Sequence, residues 1–433
     1  MWIGIDDTDA LNGGCTTFVA TEIVKEIIFL GYNLIGYPRI VRLNPNILWK
    51  TRGNAAIALQ IGIGSGKKKH IGEIDEKIYS YENKKEEADE EEVIEVVDKI
   101  IREKSSKEGN PAWVISKKKF SRILYRKAVR EIVSLEEVKK ILIENGAKYN
   151  CYRGEIGLVG ASSAISWKPY DRTYELLTYA SGEKYLEKES VIRMDKLFPS
   201  TFNNYDYEND YIAIFPRAKS PVFYGIRGEN PDELKEAMKI LVSSPFERWL
   251  IFETNQATDE HLQKKKIEEI RPYESVIVKG VVKKEPFYIE GGHLIFSITN
   301  GKEIDCTAYE PTKNFRKIIE KLKRGDEVVV YGGVRENPFT INIEKIEIKK
   351  TVEVYEKIEN PFCENCKKHM KSIGKNKGYR CPKCGKRASE RDAKYIKMER
   401  PKPGLYEVPV IARRHLFKPL KRMNIKKDDL SIY

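Results

Sequence analysis

No stretch of the sequence approaches the roughly 18 uninterrupted apolar residues that a membrane-spanning helix needs. The chain enters a strand-like Trp2-Ile3-Gly4-Ile5 at once. The expectation is a soluble, unprocessed, intracellular protein. Cysteine is scarce: seven in 433 residues, too few and too unevenly placed for a disulfide framework. Cys15, Cys151 and Cys306 stand singly, and the rest crowd one short window, which points to metal chemistry in a reducing compartment, the cytoplasm. No solenoid-length repeat is present. Two common nucleotide loops are also missing, the Walker G-x-x-x-x-G-K-[ST] and the dinucleotide G-x-G-x-x-G. What is plentiful is core-forming and charged material, 41% apolar and 33% charged, which excludes a disordered tail protein and suits about two to four domains.

The charge is uneven. Residues from Lys349 onward hold 24 basic and 10 acidic side chains, against 54 and 55 in the first 348, so the net +13 resides in the last fifth. The chain opens as α/β. A strand at Trp2 to Ile5 is followed by an amphipathic helix from about Thr16 to Leu30, with Val19, Ile23, Ile27 and Leu30 at helical spacing, then by strands near Leu34 to Leu43 and Ala55 to Ile63. Gly62-x-Gly64-x-Gly66 before three lysines reads as a loop, and the acidic run Glu86 to Glu92 as the solvated face of a helix. Residues Tyr211 to Thr254 resemble a separate small α+β unit, with strands at Ile212 to Phe215, Val222 to Ile226 and Arg248 to Thr254 and a helix at Pro231 to Leu241. From Glu274 to Lys349 three strands, one helix and two strands follow in the order of an OB-fold, a barrel that often holds single-stranded nucleic acid, or of another small barrel.

Cys363-x-x-Cys366, fourteen residues, then Cys381-x-x-Cys384 is the strongest local signal. Four thiolates at that spacing make a closed tetrahedral site for structural Zn2+, which supplies folding energy to a module too small for its own core. His369 finds no vacancy there and is expected at the surface. Lys367, Lys368, Lys371, Lys375, Lys377, Arg380, Lys383, Lys386 and Arg387 surround the site with Tyr379 and Tyr395, and the tail adds Arg413-Arg414-His415 and Lys421-Arg422. Such density suits phosphate neutralisation and base stacking, or the lysine-rich surface of a heat-adapted protein.

At the other end, Ile3-Gly4-Ile5 runs into Asp6-Asp7-Thr8-Asp9, then Asn12-Gly13-Gly14-Cys15-Thr16-Thr17. Carboxylates at the carboxyl end of a strand suit Mg2+ with substrate phosphates, and a helix N-terminus behind glycines offers N–H groups to an anion. These are the parts of a phosphoryl-transfer site. The same spacing serves equally an Asx-type turn with Thr16 or Thr17 as a helix cap.

These blocks, with Trp49-Lys50-Thr51-Arg52-Gly53-Asn54, Gly157-Leu158-Val159-Gly160-Ala161, Arg271-Pro272-Tyr273, Gly291-Gly292-His293, Ala308 to Lys313 and Tyr331 to Arg335, resemble the archaeal tRNA(Ile) 2-agmatinylcytidine synthetase family in order along the whole chain. The resemblance implies a multidomain α/β and α+β protein: a kinase-like ATP and cytidine domain at 1–195, a ferredoxin-like domain at 196–270, an OB-fold at 271–350, and a zinc ribbon with basic tail at 351–433. It implies ATP-dependent attachment of agmatine to the wobble cytidine of tRNA(Ile), so that the anticodon reads AUA rather than AUG. ATP goes to AMP and two phosphates, by way of a phosphorylated cytidine. Asp6, Asp7 and Asp9 are then implied as Mg2+ and ATP ligands and Thr16 as a phosphorylated threonine. Gly14, Cys15, Thr17, Lys50, Arg52, Gly53 and Asn54 are implied as ATP contacts. The partners implied are the tRNA(Ile) anticodon region and agmatine, with no membrane and no obligate protein. For the agmatine guanidinium, Phe223 and Tyr224 offer aromatic faces. Two further possibilities stand beside this one: a non-enzymatic OB and zinc-ribbon binder of single strands, and a tRNA-modifying enzyme using another amine. The Ser-Gly-Gly-x-Asp-Ser loop of bacterial lysidine synthetase is absent.

Overall fold

The computed structural model describes residues 1–216 and 219–423. Strand β1 (Trp2–Asp6) is apolar on both faces and buried, so it lies inside a sheet rather than at an edge. It pairs antiparallel with Ala55–Ile74 on one side and Ala112–Ser116 on the other. The sheet has eleven strands, and its main path continues through Arg39–Arg42, Arg248–Thr254, Thr173–Tyr179 and Val222–Gly228. Helix α1 (Thr16–Phe29) buries Val19, Ile23, Val24 and Ile27 on one face of this sheet, and helix Gly157–Ser166 covers the other. Helix α2 (Glu90–Lys104) packs beside α1 through Val93, Val97 and Ile101. Its acidic start has a local cause: the Asp89 side chain caps the Glu91 and Glu92 amides, and the first-turn glutamates face the positive end of the helix.

Three expectations change. The strand expected at Ala55 to Ile63 runs on to Ile74 and returns as Glu76–Glu86, so Gly62, Gly64 and Gly66 sit in a hairpin, not a loop. The glycines admit close neighbours, since a Cβ on Gly64 would come within 2.4 Å of the Tyr81 ring, and the register shifts beside them mark bulges. The strand expected from Leu34 to Leu43 is two, Asn33–Ile35 and Arg39–Arg42. Of the strands expected in the Tyr211 to Thr254 segment, Val222–Gly228 and Arg248–Thr254 join the same sheet as β1 instead of forming a separate unit, whereas the one expected at Ile212 to Phe215 is only Tyr211–Ile212 and pairs with Tyr205–Asp206 in a small sheet of two; residues 217–218 of that segment lie outside the described residues.

Beyond Arg271 the strands Ser275–Ile289, His293–Asn300, Lys302–Ala308, Thr340–Lys350 and Glu327–Val334 pair in that order, and the last closes on the first. Helix Phe315–Glu320 follows the third strand, and alternating inward residues such as Val276, Phe296, Val330 and Ile346 fill the ring. The ribbon follows as short hairpins around Tyr379 and Met370. The chain then returns: Gly404–Glu407 adds antiparallel to Thr340–Lys350. Leu416 enters the core beside the Gly157–Ser166 helix, and Phe417 enters the ring's core.

The basic tail is therefore not a free RNA surface. Arg413 pairs with Glu407 at 2.6 Å, Lys418 with Asp171 at 2.7 Å, and Arg422 with Asp171 at 3.0 Å and with Glu229; Lys421 donates to the Thr201 carbonyl at 2.7 Å. The end of the expected tail, 424–433, lies outside the described residues. The ribbon lysines Lys371, Lys375, Lys377, Lys383 and Lys386, in contrast, are exposed.

Candidate active site

Where β1 ends, the chain turns sharply, with Asp7 at φ +56°, and the carboxylates of the turn face a cavity of about 490 Å3. Its wall contains Asp6, Asp7, Asp9, Cys15, Thr16, Thr17, Lys50, Arg52, Gly53 and Asn54. Of the residues singled out at this site, Gly14 alone is not in the wall; its carbonyl accepts from Arg52 Nη1 at 3.1 Å. Burial, with Asp7 and Asp9 alongside, holds the Asp6 carboxyl well above the ordinary range. Burial also raises Asp7, against hydrogen bonds from Asn110 and Thr51, and raises Asp9, against the Arg52 charge 3.6 Å away. Three acids under this strain gain from a cation beside them.

Helix α1 begins at Thr16 with Cys15 as its N-cap, and no side chain caps it. Neither Thr16 nor Thr17 acts as the cap; Thr17 Oγ1 lies 3.0 Å from Cys15 Sγ, and the helix start shares the cavity wall with the acids.

Arg52 does something the sequence did not announce. Its Nη2 donates to the Ala10, Gly13 and Lys219 carbonyls at 2.9, 3.1 and 3.1 Å, so with Nη1 on Gly14 it clamps the loop that carries the acids. Asn54 holds the Asn44 carbonyl at 2.8 Å from a left-handed backbone, φ +49°. Lys50 is part of the cavity wall, with its pKa lowered by burial and by Arg414.

Residues that no local spacing marks complete the wall: Arg42, Glu175, Arg227 and His415. Burial, offset by Glu175, lowers Arg42 to about 10, and its Nε has no hydrogen-bond partner among the described residues. Glu175 is buried, takes Arg227 Nε at 2.8 Å and accepts from Gln256 Nε2. Phe223 and Tyr224 do not reach the cavity. Both are buried in a neighbouring core against Phe215 and Phe246, which removes them as faces for a guanidinium.

Helix Gly157–Ser166 fixes the position of Asp6. A Cβ on Gly160 would lie 1.7 Å from Asp6 Oδ2, so Gly160→Ala must push the carboxylate off its place. The expected outcome is at least a tenfold loss of turnover with about 1–3 kcal/mol of overpacking cost, measured by steady-state kinetics and thermal melting. Unchanged turnover would remove Asp6 from the chemistry.

At the far end, the sulfurs of Cys363, Cys366, Cys381 and Cys384 all lie within 4.8 Å of one another, with Cys363 and Cys384 at 3.7 Å. A tetrahedral zinc with bonds of about 2.3 Å separates its sulfurs by nearly that distance. Backbone N–H groups of Cys384 and Lys383 pull the Cys381 thiol down to about 6, toward the thiolate that zinc takes. His369 is exposed, with Nδ1 3.1 Å from the Asn360 carbonyl, outside the sulfur cluster. Among the described residues no other group of three or more acids, histidines or cysteines converges so tightly, the Asp6 turn included.

The comparisons with known proteins cover the same ground. Family models match in three places: the TiaS TCKD domain over residues 2–153, the TiaS FLD domain over 155–261, and the TiaS C-terminal zinc ribbon domain over 360–401. A tRNA(Ile) 2-agmatinylcytidine synthetase TiaS of Methanocaldococcus jannaschii is 41% identical over 98% of this chain and 99% of its own. The chain belongs to the TiaS family. Among solved structures of that family, a complex of TiaS with tRNA(Ile) and ATP superposes with a TM-score of 0.84 at 36% identity, covering 98% of each chain. A complex of TiaS with tRNA(Ile), AMPCPP and agmatine superposes at 0.81 and 33% identity, again covering 98% of each. Within the TiaS family frame, the acids, α1 and the Lys50 to Asn54 stretch fall in one matched domain, 2–153, while Glu175, Arg227 and Gln256 come from the next, 155–261. His415 comes from beyond all three matches. No described helix is long and apolar enough to cross a membrane.

Proposed function

We propose that this chain is a ligase that uses ATP to join agmatine to C2 of the wobble cytidine in tRNA(Ile), changing what the anticodon decodes. The observation that carries this is the convergence of three strained carboxylates, an uncapped helix N-terminus and the Lys50 stretch on one cavity, in a chain that matches the family end to end. A non-enzymatic binder of polyanions has no use for buried carboxylates there.

The chemistry requires two stages. Oxide is a prohibitive leaving group, so the cytosine 2-oxygen is first phosphorylated, and the amine then displaces phosphate. The α1 amides and Arg42, whose Nε lacks a partner among the described residues, are suited to hold the transferring phosphate. Thr16, at the first turn of α1, is the candidate for a transient phosphoryl acceptor. Asp6, Asp7 and Asp9 would hold Mg2+ by one or two of their carboxylates, with phosphates and water completing its shell, as that ion prefers. When bound, Mg2+ supplies charge neutralisation for the phosphates. In this reading residues 1–195 are the kinase-like unit and 196–270 the ferredoxin-like unit. The ring at 271–350 has the strand order of an OB-fold, and with the ribbon of the 351–433 segment it grips the tRNA. The target base is in an anticodon loop, already single-stranded, so drawing it into the cavity costs little pairing energy.

Incubating tRNA(Ile) that carries the target cytidine with ATP and a panel of amines, followed by mass spectrometry of the digested tRNA, tests the proposal. Agmatine is expected to add to the wobble cytidine in preference to putrescine, spermidine and lysine, and only with ATP. No adduct, or equal incorporation of putrescine, would sink it.

A further inference from the structure

Trp49 is part of the wall of the cavity that holds the acidic turn, yet it is 53% exposed. Ile132 and Ile156, in the same wall, are 52% and 44% exposed, so three large apolar side chains of one cavity stay in water. Tyr273 is held beside the indole at a cost. Its ring centroid lies 6.5 Å from that of Trp49, with the planes tilted by 57°, and its backbone is left-handed, φ +67°, which a bulky residue adopts only where its surroundings compel it. They do so here. Tyr273 N–H donates to the Val334 carbonyl at 3.0 Å, and the Tyr273 carbonyl accepts from Asn44 at 2.9 Å and from Asn46 at 3.3 Å. Asn46, in the loop that carries the indole, also donates to the Glu274 carbonyl at 2.9 Å and the Ser275 hydroxyl at 2.8 Å, which fastens that loop to the start of the ring. The Tyr273 hydroxyl donates to Glu336 at 2.5 Å, in the turn between strands Glu327–Val334 and Thr340–Lys350. The aromatic pair therefore bridges the cavity and the ring. Beside it, Arg414 crowds the Lys50 ammonium and no acid offsets that repulsion, so a phosphate gains by lying there.

We propose that Trp49 is the platform on which a base next to the target cytidine stacks, with Tyr273 bracing the indole from the ring side, an assignment that rests on the ligase function above. The occupant is the anticodon loop of the tRNA. Its unpaired bases have flat faces that an exposed indole can cover, and a strand with one base in the cavity and its neighbours on the ring meets the bridge between the two. Stacking the neighbour at the cavity wall holds the strand in register while the target base enters.

The test measures binding of tRNA(Ile) to the full chain, using the intact anticodon loop and a loop with abasic residues on both sides of the target cytidine. Trp49→Ala is expected to weaken binding of the intact tRNA at least about fivefold, with the salt dependence unchanged because no phosphate contact is lost. Trp49→Phe keeps an aromatic face and is expected to stay within about threefold of wild type. On the abasic tRNA the Trp49→Ala substitution should cost less than about twofold, the signature of one contact shared by the indole and a flanking base. An equal loss on both tRNAs overturns the proposal, since the indole then acts through the packing of the protein itself. Unchanged affinity for the intact tRNA overturns it too, as does a loss of ATP affinity in its place, which would give the indole to adenine. Failure of the wild-type enzyme to form any agmatine adduct would count against the ligase function, whereas the platform stands or falls on the binding measurements alone.

Discussion

Asp7→Asn is expected to lower agmatine incorporation by about 10²–10³-fold or more while tRNA affinity stays within about twofold. The substitution is close to a pure removal of charge. Asparagine matches aspartate in shape and tolerates the left-handed backbone that Asp7 adopts, at φ +56°. It can also keep the contact to Thr51, whose Oγ1 lies 3.3 Å from Asp7 Oδ1. What it loses is the negative charge that, in the proposed reading, would help hold Mg2+ against the phosphates, and the exposed ribbon lysines are untouched. In the same assay Thr16→Ala should abolish labelling of the protein by γ-labelled ATP. Rapid-quench measurement of adduct and filter binding of tRNA separate the two effects. Wild-type turnover by the Asp7→Asn enzyme would make the acidic turn a structural cap and send the search for the catalytic centre elsewhere.

Phe417→Ala should destabilise the protein by about 3–5 kcal/mol and silence it with its zinc still bound. Phe417 is fully buried in the core of the five-stranded ring, under the Lys345 ammonium at 4.3 Å from its ring centroid. The preceding residue, Leu416, is buried in the other core, beside the Gly157–Ser166 helix. Backbone bonds seal the junction: Ala257 N–H donates to the His415 carbonyl at 2.7 Å and Asp259 N–H to the Leu416 carbonyl at 2.9 Å. Emptying the Phe417 site loosens the residues that hold His415 against Gln256, so activity should fall with stability. Denaturant titration, zinc analysis and adduct formation on one preparation check this. A melting curve like wild type would show that the ring does not depend on the returning segment.

The parts of this protein that the sequence discloses are those whose logic is local. The Asp6 to Thr17 run and the two Cys-x-x-Cys knuckles each lie within one turn or hairpin, so spacing alone brings their atoms together. The ring was legible for a related reason, since its strands lie within one continuous stretch of chain and the first of them, Ser275–Ile289, alternates over its first half. What stayed hidden depends on contacts between distant segments. Arg42, Glu175, Gln256 and His415 meet only because strands from two matched domains share one sheet and a third segment closes over them. In the sequence His415 passes for part of a basic RNA-binding patch. Gly62 and Gly64 look like loop residues because the bulky Tyr81 and Lys84 that need their space lie about twenty residues on.

The ribbon leaves the ring after Thr340–Lys350 and comes back as Gly404–Glu407 on that same strand. It is thus an insertion held at both ends, not a pendant module. A domain on a single tether must surrender most of its rotational and translational freedom when it clasps a nucleic acid, whereas one pinned at two neighbouring points has given up much of that freedom during folding. Contacts of modest individual strength between the ribbon lysines and a phosphate backbone can then add to useful affinity, because each is made at the high local concentration that the double anchorage imposes.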